Sequence, residues 1–595
     1  MYRFPGEAYS ARYILHLIKG RTAMDLLKLP VILVDCQTTG STPPKSRIIE
    51  FAWIASRGFD VSPQSIPDVN VTFCRLPSGQ KIPRRISQIT GIKTDDVVDA
   101  PSPREVWKRF CTSLPHDGSY RSKRFLVAHH AQFEERFLLS LHSEVYPDVP
   151  FPFRFICTRR IAHHLYPSLP RRSLRAITGL LGCEPGEFRR SKDHVRATAV
   201  LWVHLISLLR ERFGITDECE LRTLLMKRPP RSSNKQYPFP RERRLALSDS
   251  PGVYRFKNPR GSILYIGKAR SLKARVNSHF TGKASRDDMV ECLSQVTDIE
   301  IRETTSATEA SLIEVEEIAH HEPRYNRALR NEGTDLWFFT RNLSHFRNEP
   351  SPDHDRGPFP DHDSIERFHT IFLWLSGTGE NATIRHQIRS ILGLKRNSSN
   401  GTIQEVRSTF VENHGIPVRI AELLSVGRHH IRERGRVSKI SDGAVTQMNE
   451  DMGITIRVTP DDDLDRSYHR LIEVIVIHCR LIFRSRWLSS LIDSVVAWRR
   501  NQELDDVSFR YLVFSGGRII DSGNSNKVEI LKSLIPPPHT KVGRLARLDR
   551  IGFNRLRTMN TELKRLVKEE RMPVVLRPSG APIETEHLVK ILALM

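Results

Sequence analysis

The chain has 595 residues, room for roughly three to five domains of ordinary size. Its formal charge is +24 and its pI is near 9.9. A chain this basic is expected to meet a polyanion, and nucleic acid is the commonest one. No apolar run approaches the ~20 residues that span a bilayer. The longest candidate, Leu471 to Phe483, is interrupted by Glu473, His478 and Arg480, and the amino terminus lacks the shape of a signal peptide. The expectation is therefore a cytoplasmic protein with no membrane partner. Eight cysteines without a Cys-x-x-Cys pair exclude a disulfide framework or zinc knuckle and fit a reducing compartment.

In chain order, residues 1–28 read as a short helical lead-in. A buried strand at Val31-Ile32-Leu33-Val34 ends on Asp35, followed by Cys36-Gln37-Thr38-Thr39-Gly40 and Arg47-Ile48-Ile49-Glu50-Phe51-Ala52. Further on come Ile89-Thr90-Gly91-Ile92, Leu126-Val127-Ala128-His129-His130-Ala131-Gln132-Phe133-Glu134 and Cys157-Thr158-Arg159-Arg160. This succession, over 29–212, resembles the DnaQ-like (DEDDh) 3′–5′ exonucleases, which implies a ribonuclease-H-like mixed sheet flanked by helices. The resemblance also implies a two-metal centre of four carboxylates with a histidine as general base. Asp35 keeps the first ligand position. Gln37 replaces a glutamate, and Glu134 stands on a longer arm where aspartate is usual. Alignment on Arg196-Ala197-Thr198-Ala199 puts Arg189 at the position of the base and His194 at that of the last aspartate, with Asp193 one residue away. A one-residue slip turns a helix face by about 100°. The ligand set to consider is Asp35, Gln37, Glu134, Asp193 and His194, and the expected catalysis is weakened or lost.

Residues 213–247 contain a Pro-, Arg- and Ser-rich stretch and read as a basic linker able to track DNA phosphates. In Ser250 to Phe280, Val253 to Phe256 and Ile263 to Ile266 read as strands joined by the Asn258-Pro259-Arg260-Gly261 turn, a hairpin that brings Tyr254 and Tyr265 together. Gly267 is expected to end the second strand, and a helix bearing Lys268, Arg270, Lys273 and Arg275 to follow. Cations beside phenols suit phosphodiester chemistry, holding the phosphate and easing proton loss from a phenol.

Gly252-Val253-Tyr254, Tyr265-Ile266-Gly267, Glu309 to Glu314 and Pro323-Arg324-Tyr325-Asn326 together resemble the GIY-YIG nuclease domain of UvrC-type excinucleases, here over 248–332. The resemblance implies endonucleolytic cutting of DNA. Tyr265 would be general base with Tyr254 in support, although the sequence leaves open which phenol takes the proton. Lys268 and Arg275 would polarise the phosphate, Asn326 would position phosphate or the metal's water, and Glu314 would hold Mg²⁺ or Mn²⁺. Arg270, Lys273 and Arg324 would contact the DNA backbone. By analogy a UvrB-like loading protein is a partner. The order of the two domains resembles bacterial fusions of this kind. Two other functions remain open: a proofreading-type 3′–5′ DNA exonuclease and a non-catalytic DNA-binding repair scaffold.

Residues 333–370 read as a Pro-rich loop that repeats Asp353-His354-Asp355 and Asp361-His362-Asp363, residue types able to bind metal. Ile371 to Leu375 reads as a strand within a mainly helical α+β region, 371–535. Phe509 to Asp521 is expected to be a hairpin around Gly516-Gly517. A basic helical segment, 536–595, carries one helix from Arg544 to Lys568 with leucines along a single stripe.

Overall fold

The structure is a computed structural model that describes residues 24–57, 68–114, 124–183, 188–230, 235–281, 287–326, 335–379, 381–394, 400–440, 463–500, 508–578 and 581–595. Most of the expected lead-in lies outside them. The chain divides into two compact units, one of residues 1–305 with 323–325, the other of 306–322 with 326–595.

The first unit opens with β1 (Pro30–Thr38), β2 (Ile48–Arg57) and β3 (Asn70–Phe73), followed by α1 (Pro103–Ser113), β4 (Arg124–Ala128), α2 (Ala131–Val145), β5 (Phe153–Cys157) and α3 (Ser191–Phe213). The sheet runs β3-β2-β1-β4-β5. β1 pairs antiparallel with β2 and parallel with β4, the mixed sheet expected for an exonuclease fold. Because strand side chains alternate, Val31 and Leu33 join the core that contains Val195, Leu201 and Trp202 of α3. Ile32, Val34 and Cys36 enter the opposite core with Trp107 and Phe110 of α1. Asp35 and Gln37 therefore emerge at the end of β1 on the face covered by α3.

The same unit contains β6 (Gly252–Lys257), β7 (Ile263–Ala269), α4 (Leu272–Thr281) and β8 (Asp298–Glu303), with the sheet ordered β7-β6-β8. The hairpin forms as expected, but β7 runs through Gly267 to Ala269 instead of stopping there. The reason is steric. Tyr254 lies opposite Gly267 in the register, and a Cβ at Gly267 would fall on the Tyr254 ring and hydroxyl. The glycine makes room for the phenol without breaking the strand. The expected linker also differs. Helices occupy Glu218–Met226 and Arg241–Leu245, and Phe239 is buried with Tyr254 and Phe256. The last part of the "linker" is thus core of the small domain.

The second unit begins with α5 (Ala307–His321) and β9 (Trp337–Phe339), β10 (Phe346–Arg347) and β11 (Arg356–Phe359). The Pro-rich stretch is therefore partly a three-stranded sheet. α6 (Asp363–Ser376) contains Ile371 to Leu375, correcting the expected strand: Ile365, Phe368, Ile371 and Trp374 are buried at helical spacing, and Gly377 caps the helix with φ 78°. α7 (Asn400–His414), α8 (Ile420–Ile440) and α9 (Asp463–Leu491) follow. β12 (Ser494–Arg499), β13 (Phe509–Ser515) and β14 (Arg518–Ser525) precede α10 (Lys541–Ala546), α11 (Arg550–Lys568) and β15 (Val574–Leu576). The sheet order is β14-β13-β12-β15, with Gly516 and Gly517 at positive φ in the expected turn. The single expected helix from Arg544 is two, because Asp549 caps α11 by accepting from the Gly552 amide at 2.6 Å. Its leucine stripe is buried as read: Leu545, Leu548, Leu556, Leu563 and Leu566.

Candidate active site

At the end of β1, His194 in the first turn of α3 places Nδ1 3.2 Å from Asp35 Oδ1 and Nε2 3.2 Å from the Phe188 carbonyl. Burial opposes the imidazolium, but the Asp35 carboxylate outweighs it and holds the pKa above its usual value. Gln37 Nε2 lies 3.4 Å from Asp35 Oδ2. Glu134, in the first turn of α2, is 5% exposed. Its Oε2 is buried without a hydrogen-bond partner. Burial, then the neighbouring Asp35 charge, pushes its pKa well up. Asp193 makes no hydrogen bond or ion pair to this group among the described residues. The helix turn selects His194 over it. Arg189 is exposed.

This donor set can be tested against the two-ion centre that the fold implies. One unpartnered carboxylate oxygen beside Asp35 fits one divalent cation. The remaining positions do not fit a second, since an amide and an imidazole already bonded to Asp35 stand where carboxylates are needed. Among the described residues, the one trio of His, Cys, Asp or Glu ligand atoms within 4.8 Å of one another is His362, Asp363 and Glu366, in the second unit. It is largely exposed and does not include the repeated Asp353-His354-Asp355, where Asp355 pairs with Lys541 at 2.7 Å.

Three features of the exonuclease-like domain carry no signal in the sequence. Glu50 is fully buried and accepts from the Arg190 guanidinium and, at 2.8 Å, from the Ser191 amide, so it anchors the start of α3. His129 bonds Thr158 Oγ1 at 3.1 Å and the Arg172 carbonyl at 3.0 Å. Its pKa is pushed down to about 3, chiefly by burial, which marks a bracing residue. The Phe188 ring has the Arg175 guanidinium 5.2 Å and the Arg324 guanidinium 5.4 Å from its centroid.

In the small domain Tyr254 is fully buried, Tyr265 is half-buried, and their ring centroids are 6.1 Å apart. Tyr254 Oη lies 2.7 Å from His279 Nε2 on α4. The His279 pKa falls to about 4, first through burial and then through Arg275 on the same helix. The ring is therefore neutral at pH 7, and its Nε2 can accept the Tyr254 proton. The sequence did not single out His279; its one signal is the i, i+4 spacing from Arg275, which puts both on one helix face. Of the four cations expected on one helix, only Lys273, half-buried, and Arg275, exposed, lie on α4; because the strand continues to Ala269, Lys268 is half-buried on β7 and the exposed Arg270 falls between strand and helix. Tyr325 donates its amide to the Leu264 carbonyl at 3.1 Å and its hydroxyl sits 2.6 Å from Gln295 Nε2, returning the chain onto β7. Glu314 on α5 and the buried Asn326 belong to the second unit. There α5 packs along α11, with Ser311 Oγ donating to Glu562 at 2.8 Å and Arg555 pairing with Glu316 at 3.0 Å.

A mixed five-stranded sheet with carboxylates at one strand end, beside a small three-stranded sheet with paired tyrosines, defines a protein with two nuclease-type domains. Residues 32–185 match the exonuclease family model, and residues 250–327 match that of the UvrC-like GIY-YIG domain. The chain carries both domains. It is 30% identical over 361 residues to a Mycobacterium tuberculosis protein named a bifunctional exonuclease/endonuclease, covering 56% of this chain and 51% of that one. It is 45% identical over 94 residues to the UvrABC system protein C of Desulforudis audaxviator, covering 16% of this chain and 15% of that one. The chain thus spans about half, or less, of the length of these relatives. Among solved structures, the GIY-YIG domain of UvrC from Thermotoga maritima is 30% identical, with 14% of this chain and 93% of that one covered and a TM-score of 0.14. Among the described residues, no helix is long and apolar enough to cross a membrane.

Proposed function

We propose that this chain is a metal-dependent DNA endonuclease that makes a single incision with its GIY-YIG domain, as a repair nuclease of the bacterial cytosol or nucleoid. The observation that carries the reading is the pair of phenols, Tyr254 and Tyr265, held 6.1 Å apart beside a helix bearing Arg275 and His279. Tyr265, the more exposed phenol, acts as its phenolate and takes the proton from water while the water oxygen bonds phosphorus and one P–O ester bond breaks; the leaving oxygen takes a proton from solvent. Tyr254 and His279 hold that geometry, the neutral imidazole accepting from the buried hydroxyl. Lys268 and Arg275 neutralise charge on the non-bridging oxygens. Arg270 and Lys273 meet the flanking backbone, and Arg324 does so at the domain edge. Glu314 is a hard oxygen ligand suited to Mg²⁺ or Mn²⁺, with Asn326 as its neighbour in the motif. The ion would supply Lewis-acid stabilisation of the phosphoryl oxygens. The exonuclease domain contributes a nucleic-acid groove with weakened or lost catalysis. A UvrB-like loader is the partner suggested by the related domain.

The test uses a 5′-labelled duplex with one bulky adduct, full-length protein and Mg²⁺ or Mn²⁺, resolved on a denaturing gel. One discrete shortened product is expected, abolished by Tyr265→Phe and by Glu314→Ala while DNA binding persists. A ladder receding from the 3′ end would instead assign the activity to the exonuclease domain. Undiminished incision in both variants would refute the residue roles.

A further inference from the structure

The second unit contains a cavity of about 210 Å³ in a region beyond both matched domains. Its walls come from the loops flanking β10 and β11, the carboxy-terminal half of α9, the start of α8, α10 and the segment after β15. Six cations line it: Arg341, Arg356, Arg486, Lys541, Arg544 and Arg577. One carboxylate, Asp355, faces them. It holds Lys541 at 2.7 Å and Arg356 at 3.4 Å. Among the described residues, no carboxylate pairs with Arg341, Arg486, Arg544 or Arg577.

Concentrating like charges around an enclosed space is unfavourable unless something neutralises them. The strain shows in the groups themselves. Burial and then the Arg544 charge lower the Arg577 pKa, and burial followed by Arg356 and Arg428 lowers that of Arg486. A second, independent sign lies in the wall. Ser485 is 3% exposed, lines the cavity, and its Oγ has no hydrogen-bond partner. The Arg544 and Arg577 Nε atoms are likewise buried without partners. Buried donors are normally satisfied, so three donors around one cavity point to an acceptor that belongs there. The neighbouring Ser489 is already used, donating to the Gly357 carbonyl at 2.7 Å. Planar guanidinium forks suit phosphate oxygens. Phe359, Leu424 and Ile482 add apolar lining, which a bare inorganic anion would leave unused.

We propose that this cavity is a phosphate-binding site for a compact polyanion with an apolar or planar part, of the nucleoside polyphosphate class. The same phosphate chemistry is also offered by the 5′-phosphate end of a nucleic-acid strand. The test is calorimetric titration of full-length protein in EDTA, so that no metal site contributes, with ATP, tripolyphosphate and adenosine. A pair of dinucleotides, 5′-phosphorylated and 5′-hydroxyl, forms the second arm. ATP is expected to bind, tripolyphosphate to bind more weakly, and adenosine not at all. The Arg544→Ala/Arg577→Ala double variant should weaken ATP at least tenfold. Arg341→Ala and Arg486→Ala, at the solvent-facing side of the cavity, should each weaken it several-fold. Tighter binding of the 5′-phosphorylated dinucleotide, lost in the same variants, would support the phosphate site and identify the strand end as its source. Binding of neither ATP nor tripolyphosphate with equal binding of the two dinucleotides overturns the proposal. So does ATP binding that all four substitutions leave unchanged.

Discussion

Replacing Gly267 with alanine tests whether the tyrosine pair is the working part of the small domain. A Cβ built at Gly267 collides with the Tyr254 hydroxyl and lies 2.9 Å from Tyr265 Cε1. Carbon pairs settle at about 3.5–4.0 Å, so the Tyr265 ring must retreat by roughly 0.6–1 Å, and Tyr254 by more. Tyr254 is fully buried and hydrogen-bonded to His279, so it has little room to yield. Overpacking of this kind costs about 1–3 kcal/mol of stability, which a folded domain can survive. A displacement of about 1 Å at a reacting group costs on the order of 10²-fold in rate. Gly267→Ala is therefore expected to cut about a hundredfold more slowly in a single-turnover assay on 5′-labelled duplex, with DNA affinity kept. Gly261→Ala is the control. Its φ is +80° and nothing lies within 4 Å of the added carbon, so it strains a turn without touching either phenol and should cut normally. If Gly267→Ala cuts as fast as the wild type, the phenol pair is core packing and the assignment of the site fails.

Other expectations follow from single contacts. The folded pKa of His279 is lowered to about 4 against an unfolded value of about 6.5, so between these values the unfolded chain binds the extra proton. Stability should fall as pH drops from 6.5 towards 4, by something on the order of 3 kcal/mol. His279→Phe should flatten that slope in thermal melts, and a parallel slope in both proteins would contradict it. In the exonuclease domain, Gln37→Glu with His194→Asp returns the missing carboxylates. Mn²⁺ titration followed by electron paramagnetic resonance should then count more bound ions than in the wild type; an unchanged count would show that the cage is limited by something else. Glu50→Gln removes the buried charge that receives Arg190 and the Ser191 amide. It should cost about 3 kcal/mol in urea unfolding, and a cost near zero would mean that α3 is anchored by its apolar face alone.

What the sequence reveals here depends on how local the cause is. The hairpin around Asn258 to Gly261 is legible because turn chemistry and β-branched residues adjoin. The leucine stripe of α11 is legible because a 3.6-residue period repeats along it. Ile371 to Leu375 misleads, since a short apolar run is the same in a strand and in a buried helix. Only the acidic start at Asp363 and the stop at Gly377 distinguish them. Gly267 misleads for a different reason: propensity treats it as a missing side chain, whereas its role is to admit one from the neighbouring strand. Phe239 sits in a stretch whose composition is that of a linker, and only tertiary packing reveals it as core. The remaining site contacts are long in sequence. Asp35 and His194 are 159 residues apart, and Glu50 and Arg190 are 140 apart. Motif alignment marked His194 as the occupant of a ligand position, but nothing local could show that it is bonded to Asp35.

The two nuclease-type sites differ in how much charge their chemistry must assemble. A two-ion centre requires four carboxylates converging at one point, an arrangement whose self-repulsion only bound cations relieve. In this chain Asp35 meets an imidazole instead, and burial and the Asp35 charge push the Glu134 pKa up. The imidazole also has a second partner. Through the Phe188 carbonyl it reaches a residue whose ring lies against Arg324, next to the tyrosine that closes onto β7. His194 and Phe188 thus link the larger sheet's domain to Arg324 of the small one. The small domain makes no such demand on converging charge. Its histidine is kept neutral by burial and by the Arg275 charge. Substitutions that leave the larger sheet intact can therefore change the side chains that meet at the end of β1 without touching the tyrosine pair of the small domain.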